Sequence, residues 1–278
     1  IARAASGKDK IAICGYHGWH DWYLAANLNK KDELKKHLLP GLKPLGVPKN
    51  LLGSTLTFSY NNILELENLI KKNKNIGAIK MEVSRNIKPK PGFLKKVREL
   101  ANKNKIILIF DECTSGFRQT FGGLHKLYNV DPDIAIFGKA LGNGYAINAV
   151  IGKKEIMEFA QLTFISSTFW TERIGPTAAL KTLDIMEKEK SWITITEKGN
   201  KVKKKWLQLA KKYNIKIEIF GIPALVGFKI KSKNFLYYKT LISQELLKDS
   251  ILASNMIYFS TEHSDKNLNR YFSSLEKV

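Results

Sequence analysis

The segment from Ile76 to Phe110 constrains the fold more than any other part of the chain. Ile76 to Val83 is apolar and β-prone. Pro91 and Gly92 then open a helix whose Phe93, Val97, Leu100 and Ala101 fall on one face, and Lys105 to Phe110 is a second strand. Strand, amphipathic helix, strand is a βαβ crossover, which joins parallel neighbours in one sheet. The pattern extends in both directions. Lys10 to Cys14 reads as a strand running into Gly15 and the aromatic cluster Tyr16 to Tyr23, and Asp133 to Phe137 and Asn148 to Ile151 read as short strands bounded by glycine-bearing turns. The fold class expected is α/β, a mostly parallel sheet flanked by helices.

Beyond Pro176 the character changes. TAALKTLDIMEKEK reads as a long helix and Glu197 to Tyr213 as another, basic on its outer face. Ile215 to Phe220 and Ala224 to Ile230 flank Gly221, Ile222 and Pro223, which predicts an antiparallel pair. Leu236 to Lys248 is a predicted helix, Met256 to Ser260 a strand, and Ser264 caps a last helix with Asp265 in its first turn. The boundary falls near residue 185: a large α/β domain over 1–185 and a smaller C-terminal α+β domain over 186–278.

Composition narrows the function classes. At 44% hydrophobic and 26% charged, the 278 residues are globular rather than disordered or fibrous. No apolar run approaches the ~18 residues of a membrane helix, and IARAASGKDK lacks the plan of a signal peptide. Cys14 and Cys113 are too few for a disulfide framework, so a cytoplasmic protein with no membrane partner is expected. Lys and Arg number 46 against 25 Asp and Glu, a formal net charge of +21. That excess favours anionic partners, whether nucleic acid, phosphates or carboxylates, although the lysines are scattered through Asn- and Ile-rich runs rather than gathered on one face. The chain starts at Ile1 without an initiator Met, which suggests a piece of a longer protein.

In open α/β sheets ligands sit outside the carboxyl ends of the strands. Asp111 and Glu112 fall there, directly after IILIF. A nucleotide hydrolase places such a pair on magnesium, but it also needs a GxxxxGK[ST] phosphate loop, which this sequence does not contain. The second reading joins Asp111 to Lys139, also at a strand end. A lysine that forms an imine with an aldehyde and a carboxylate that keeps a ring nitrogen protonated are the two groups pyridoxal phosphate chemistry requires. Lys139 lies in FGKALGNGY, where Gly138, Gly142 and Gly144 permit close backbone approach. His17 and His20, at i, i+3, supply only two of the three or four ligands a zinc site needs, so no metal is expected. His17 reads instead as support for the pocket, with His20 packing locally and Trp19 and Trp22 as candidates for the core.

ILIFDECTSGFRQTFGG followed by PDIAIFGKALGNGY resembles the signature of class III pyridoxal-phosphate aminotransferases, the fold-type-I family that includes glutamate-1-semialdehyde aminomutase. GYHGWHDWY and ISSTFW match two further family blocks, so the resemblance spans nearly the whole chain. It implies pyridoxal 5'-phosphate as cofactor and a reaction that moves an amino group between a small-molecule amino donor and a carbonyl acceptor, or between two carbons of one molecule in a mutase. Lys139 would bind the cofactor aldehyde and then shuttle the proton, with its amine kept neutral by desolvation. Asp111 would hold the pyridine nitrogen protonated. Tyr16 would stack on one ring face, and Cys113, where the family usually has Val, would pack on the other. Asn86 is matched to an Asn that contacts the ring oxygen, although Glu82 and Val83 stand where the family has Glu-Pro.

The resemblance also matches Thr168 to a Thr that binds the cofactor phosphate of the neighbouring subunit, which implies a homodimer with shared sites. In place of a Ser-Gly-Asn-Pro turn the chain then has Phe169 to Gly175, so Glu172 and Arg173 become candidates for substrate recognition, Arg because its planar fork suits a carboxylate. The family's phosphate-binding turn would lie just before ARAASGKDK. The altered loop and the GYHGWHDWY block look closer to aminotransferases acting on sugar or cell-surface precursors than to the tetrapyrrole-pathway enzyme. A basic nucleic-acid-binding or nucleotide-hydrolysing protein is the alternative that the charge and the IFDE strand end leave open.

Overall fold

The computed structural model describes residues 1–30, 32–37 and 40–278. They form two compact units. The first comprises Ile1–Val83, Pro89–Gly116 and Gly122–Thr182, and the second Ser84–Lys88, Phe117–Phe121 and Leu183–Val278.

The first unit is built on a six-stranded sheet of β1 (Lys10–Cys14), β2 (Thr55–Thr57), β3 (Ile76–Met81), β4 (Ile107–Asp111), β5 (Ile134–Phe137) and β6 (Ala149–Gly152). The spatial order is β2-β1-β3-β4-β5-β6. All pairings are parallel except β5 with β6. β3 and β4 lie in the interior of the sheet and are apolar almost throughout, as expected for parallel strands covered on both faces. On one face Ala78, Ile107, Ile109 and Ile134 pack against Ala2. Lys80 pairs in register with Ile109, and Asp111 follows two residues later, so the apolar stripe becomes polar toward the carboxyl ends of β3 and β4.

The helix Phe93–Lys103 forms the expected crossover and buries Phe93, Leu94, Val97 and Ala101. β2 and the helix Ile63–Lys72 are elements the sequence reading passed over. β2 has three residues, and the helix is set by a local cap in which the Asn62 side chain accepts from Glu65 N at 3.2 Å while the Glu65 carboxylate accepts from Ser59 N at 2.9 Å.

The second unit carries a three-stranded antiparallel sheet, β7 (Ile217–Ile222), β8 (Leu225–Ile230) and β9 (Met256–Tyr258), in that order. The helices Ser191–Lys212, Phe235–Lys248 and Asp265–Leu275 accompany it. Its core includes Trp206, Phe228, Leu246 and Tyr271. Two sequence expectations shift here. The second long helix begins at Ser191 rather than Glu197, because Lys190 takes a left-handed φ of 50° that breaks it from the helix Ile174–Glu189, and Ile195 then turns into the core. The hairpin is also tighter than read, since Gly221 and Ile222 belong to β7. Ser264 caps the last helix as expected, accepting from Asn267 N.

Candidate active site

Three strands of the first unit deliver ionisable groups to one place. Asp111 ends β4, Lys80 lies near the end of β3, and His17 follows the end of β1. His17 Nδ1 is 2.9 Å from Asp111 Oδ2 and Lys80 Nζ is 3.3 Å from the same oxygen, while Asp111 Oδ1 accepts from Cys113 N at 3.2 Å. His17 is buried, and burial pulls its imidazole below the ordinary value against the opposing pull of Asp111. A neutral imidazole that meets a carboxylate through Nδ1 carries its proton there, so His17 donates. Burial alone would raise the Asp111 carboxyl. The His17 hydrogen bond, the Lys80 charge and the Cys113 N–H outweigh it and hold the group well below the usual carboxylate range.

Lys139 follows β5 through Gly138 and opens a short 3-10 turn, Lys139–Leu141, with a left-handed φ of 48°. A non-glycine residue held in that region marks a backbone constrained by its surroundings. Its Nζ donates to Thr114 Oγ1 at 2.6 Å. Lys139 opens a turn beyond the strand end and stands exposed in the chain by itself. The Cys113 thiol is within electrostatic reach of Asp111, Lys139 and Lys80. It is pushed up to about 11, first by burial and then by Asp111, with Lys139 and Lys80 pulling the other way. A Cβ on Gly138 would come within 3.3 Å of its sulfur.

The remaining predicted residues fall as follows. Tyr16 is half-buried, and its backbone N–H donates to Glu82 Oε2 at 3.1 Å. Gly15 makes this possible: its φ is 119°, and a Cβ there would stand 2.7 Å from the Glu82 carboxylate. Thr168 stands exposed at the start of the 3-10 turn Thr168–Thr171, and no hydrogen bond among the described residues ties it to Asp111 or Lys139. Arg173 is exposed. The Glu172 carboxylate accepts from Ile174 N at 2.5 Å, from Gly175 N at 3.1 Å and from the Tyr145 hydroxyl at 3.3 Å, so it caps the helix Ile174–Glu189. Asn86 belongs to the segment Ser84–Lys88 of the second unit, where its carbonyl accepts from Gly221 N at 3.0 Å.

His17 and His20 do not converge. His20 is exposed and stacks on Trp22 with ring centroids 6.5 Å apart, and Trp19, a candidate for the core, is 59% exposed. Glu112, the second member of the acidic pair, is fully buried. It accepts from His125 N at 3.0 Å, approaches His125 Nδ1 at 2.9 Å, and accepts from the Ser115 hydroxyl. A carboxylate engaged in this way anchors the loop after β4 rather than facing a ligand.

Lys80 and Thr114 are the site neighbours the sequence reading passed over. For Lys80 a signal existed: it is the one charged residue within IGAIKM, a run otherwise suited to the sheet interior, and a charge placed there needs a partner.

A mostly parallel sheet with an ionised carboxylate and a primary amine at the ends of neighbouring strands, and a separate antiparallel sheet beside it in sequence, is the fold of the pyridoxal-phosphate transferases. An omega-transaminase from Sphaerobacter thermophilus has this fold, with a TM-score of 0.84 at 20% identity over 99% of this chain and 69% of that one. The family model of class III aminotransferases matches residues 1–253, and the chain belongs to that family. It is 34% identical to the 3-aminobutyryl-CoA aminotransferase of Cloacimonas acidaminovorans over 281 residues, covering 96% of this chain and 64% of that protein. It is 32% identical to the glutamate-1-semialdehyde 2,1-aminomutase of Methanobrevibacter smithii, covering 99% of this chain and 69% of that protein.

The donor set fits the family's cofactor, pyridoxal 5'-phosphate. One carboxylate is held ionised, as a protonated ring nitrogen would require, one amine has no carboxylate partner among the described residues, as an aldehyde would require, and a half-buried Tyr16 and the Cys113 thiol border the same strand ends.

Proposed function

We propose that this chain forms the greater part of an enzyme that moves an amino group between an amino donor and a carbonyl acceptor, or between two carbons of one substrate. The observation that carries this reading is the pair at the ends of β4 and β5: Asp111, kept ionised by His17 and Lys80, and Lys139, whose amine rests on a hydroxyl rather than a carboxylate. Bound pyridoxal phosphate would supply an aldehyde for the amine and a ring that accepts the electron pair released at the substrate carbon. Asp111 would hold the proton on the ring nitrogen, and His17 orients that carboxylate by donating from Nδ1. Lys139 Nζ would carry the proton between substrate atoms, with Thr114 Oγ1 holding the amine in place between transfers. Tyr16 and Cys113 would flank the ring and exclude water from its faces.

A homodimer belongs to the same reading. Thr168, matched by family resemblance to a phosphate contact on a neighbouring subunit, sits in an exposed apolar stretch: Phe164 is fully exposed, and Leu162, Phe169, Trp170 and Ile174 are more than half exposed. So much apolar surface on one segment favours a partner of the same kind. Arg173, exposed five residues from Thr168, is the candidate for a substrate carboxylate. A cytoplasmic location is consistent with two free cysteines, and no described helix is long and apolar enough to cross a membrane.

The test is reduction with borohydride in the presence of pyridoxal phosphate, followed by peptide mapping. The pyridoxyl group is expected on Lys139, and a label on a different lysine overturns the assignment. A donor and acceptor screen that includes glutamate-1-semialdehyde, 3-aminoacyl thioesters and oxidised sugars then separates transaminase from mutase and identifies the substrate class.

A further inference from the structure

A lysine inside a parallel sheet calls for an explanation, because burying an ammonium is costly unless it is paired. Lys80 lies on β3 between β1 and β4, paired in register with Ile13 on one side and Ile109 on the other, and its side chain is 14% exposed. Its Nζ lies 3.3 Å from Asp111 Oδ2 and 5.3 Å from the centre of the Trp22 ring. The carboxylate and the aromatic face hold the ammonium from two directions. Asp111 Oδ2 therefore serves two donors, His17 and Lys80, and Oδ1 serves Cys113 N–H. A carboxylate has about four lone-pair sites, so room remains for one further donor.

We propose that Lys80 is a positioning residue that shares the Asp111 carboxylate with the cofactor's ring nitrogen and so sets how strongly Asp111 holds the ring proton. The inference rests on the cofactor reading above and goes beyond it. A protonated ring nitrogen is a cation, and placing it on a carboxylate that already carries an ammonium brings two positive charges onto one negative one. Each weakens the hold of the other, at a separation of a few ångströms and in a partly dry site where charges are poorly screened. Lys80 thus keeps Asp111 ionised while no ring is present and tempers its grip once a ring arrives. Its role toward the ring is electrostatic and needs no direct contact.

The experiment compares equilibrium binding of pyridoxal phosphate with that of its 1-deaza analogue, which has carbon in place of the ring nitrogen. Both ligands carry the same aldehyde and phosphate, so contributions from Lys139 and from any phosphate contact cancel in the ratio of affinities. In Lys80→Met this ratio is expected to move roughly tenfold in favour of pyridoxal phosphate, while Lys80→Arg, which keeps the charge, stays close to the parent. A ratio unchanged in Lys80→Met, whether both affinities hold or both fall together, gives Lys80 only a structural role and overturns the proposal while the cofactor reading stands. If the parent protein takes up neither ligand and Lys139 takes no pyridoxyl label, the cofactor reading falls and this proposal falls with it.

Discussion

At the carboxyl ends of β1, β3 and β4 the protein gathers His17 and Lys80 on one buried carboxylate, Asp111, whereas the core over β7 to β9 is mainly apolar and its buried polar groups are neutral, with Trp206 Nε1 donating to the Tyr271 hydroxyl at 3.0 Å and Asn255 Nδ2 to the Phe228 carbonyl at 2.9 Å. The second arrangement is the ordinary solution to folding: aromatic and aliphatic side chains leave water, and Trp206 packs on Phe228 with ring centroids 4.8 Å apart. The first arrangement costs desolvation and returns it through hydrogen bonds and an ion pair. It makes sense as a site rather than as a core, since a hydrophobic strand end would fold at least as well. The contrast also says which residues should be replaceable. Changes at the strand ends should reach chemistry first, and changes in the second unit should reach stability first.

The most severe test of that division is Lys139→Ala. Turnover in the donor and acceptor assay should fall by more than about a thousandfold, with the urea unfolding midpoint close to that of the parent, because the side chain is exposed and packs little. Retained transamination removes Lys139 from the mechanism. Next in size is Trp206→Ala in the second unit. Loss of a buried indole and its hydrogen bond to Tyr271 should cost about 3–5 kcal/mol in denaturant titration, while the pyridoxyl label should still map to Lys139 in the folded fraction. If the label moves instead, the two regions are not separable in this way.

A smaller effect comes from pH. His37 Nδ1 accepts from Gly15 N at 3.0 Å, and burial holds the imidazole down at about 4. A histidine depressed in the folded state is protonated first in the unfolded chain. Stability is therefore full above pH 6.5 and should fall as pH drops from 6.5 toward 4, by about 2–3 kcal/mol from this group. His17, also lowered by burial, acts in the same direction. Denaturant titrations at pH 7 and pH 4.5 should reveal the loss, and His37→Gln should flatten it; an unchanged slope in that variant would place the effect elsewhere. The smallest change expected is Glu172→Ala. Removing the cap of the helix Ile174–Glu189 should cost about 1 kcal/mol in thermal or denaturant unfolding. A large rise in KM with no loss of stability would instead make Glu172 a substrate contact.

Much of the fold could be read from residues alone, for reasons these particulars make plain. The βαβ unit over 76–110 stands out because both strands are buried on two faces and the helix on one, so each carries its own period. The strand-end placement of Asp111 and Lys139 was legible because each closes or directly follows a short apolar, β-prone run. β2 was not, since three residues carry no periodicity, and neither was the role of Glu112, which beside Asp111 in the chain points to a different set of partners. Alternation along a strand sends neighbours to opposite sides, and only the packed loop decides what each one meets.

From its sequence alone this protein was bound to an α/β sheet, to an acidic strand end at Asp111 and to a lysine beyond the next strand at Lys139, because hydrophobic periodicity and strand-end residues are local properties of the chain. Only the tertiary structure decided that Lys80, 31 residues before Asp111, shares its carboxylate, that His17 orients it, and that Glu172 caps a helix. Those relations depend on which strands become neighbours and in what register, and a register is an outcome of the whole sheet rather than of any one segment.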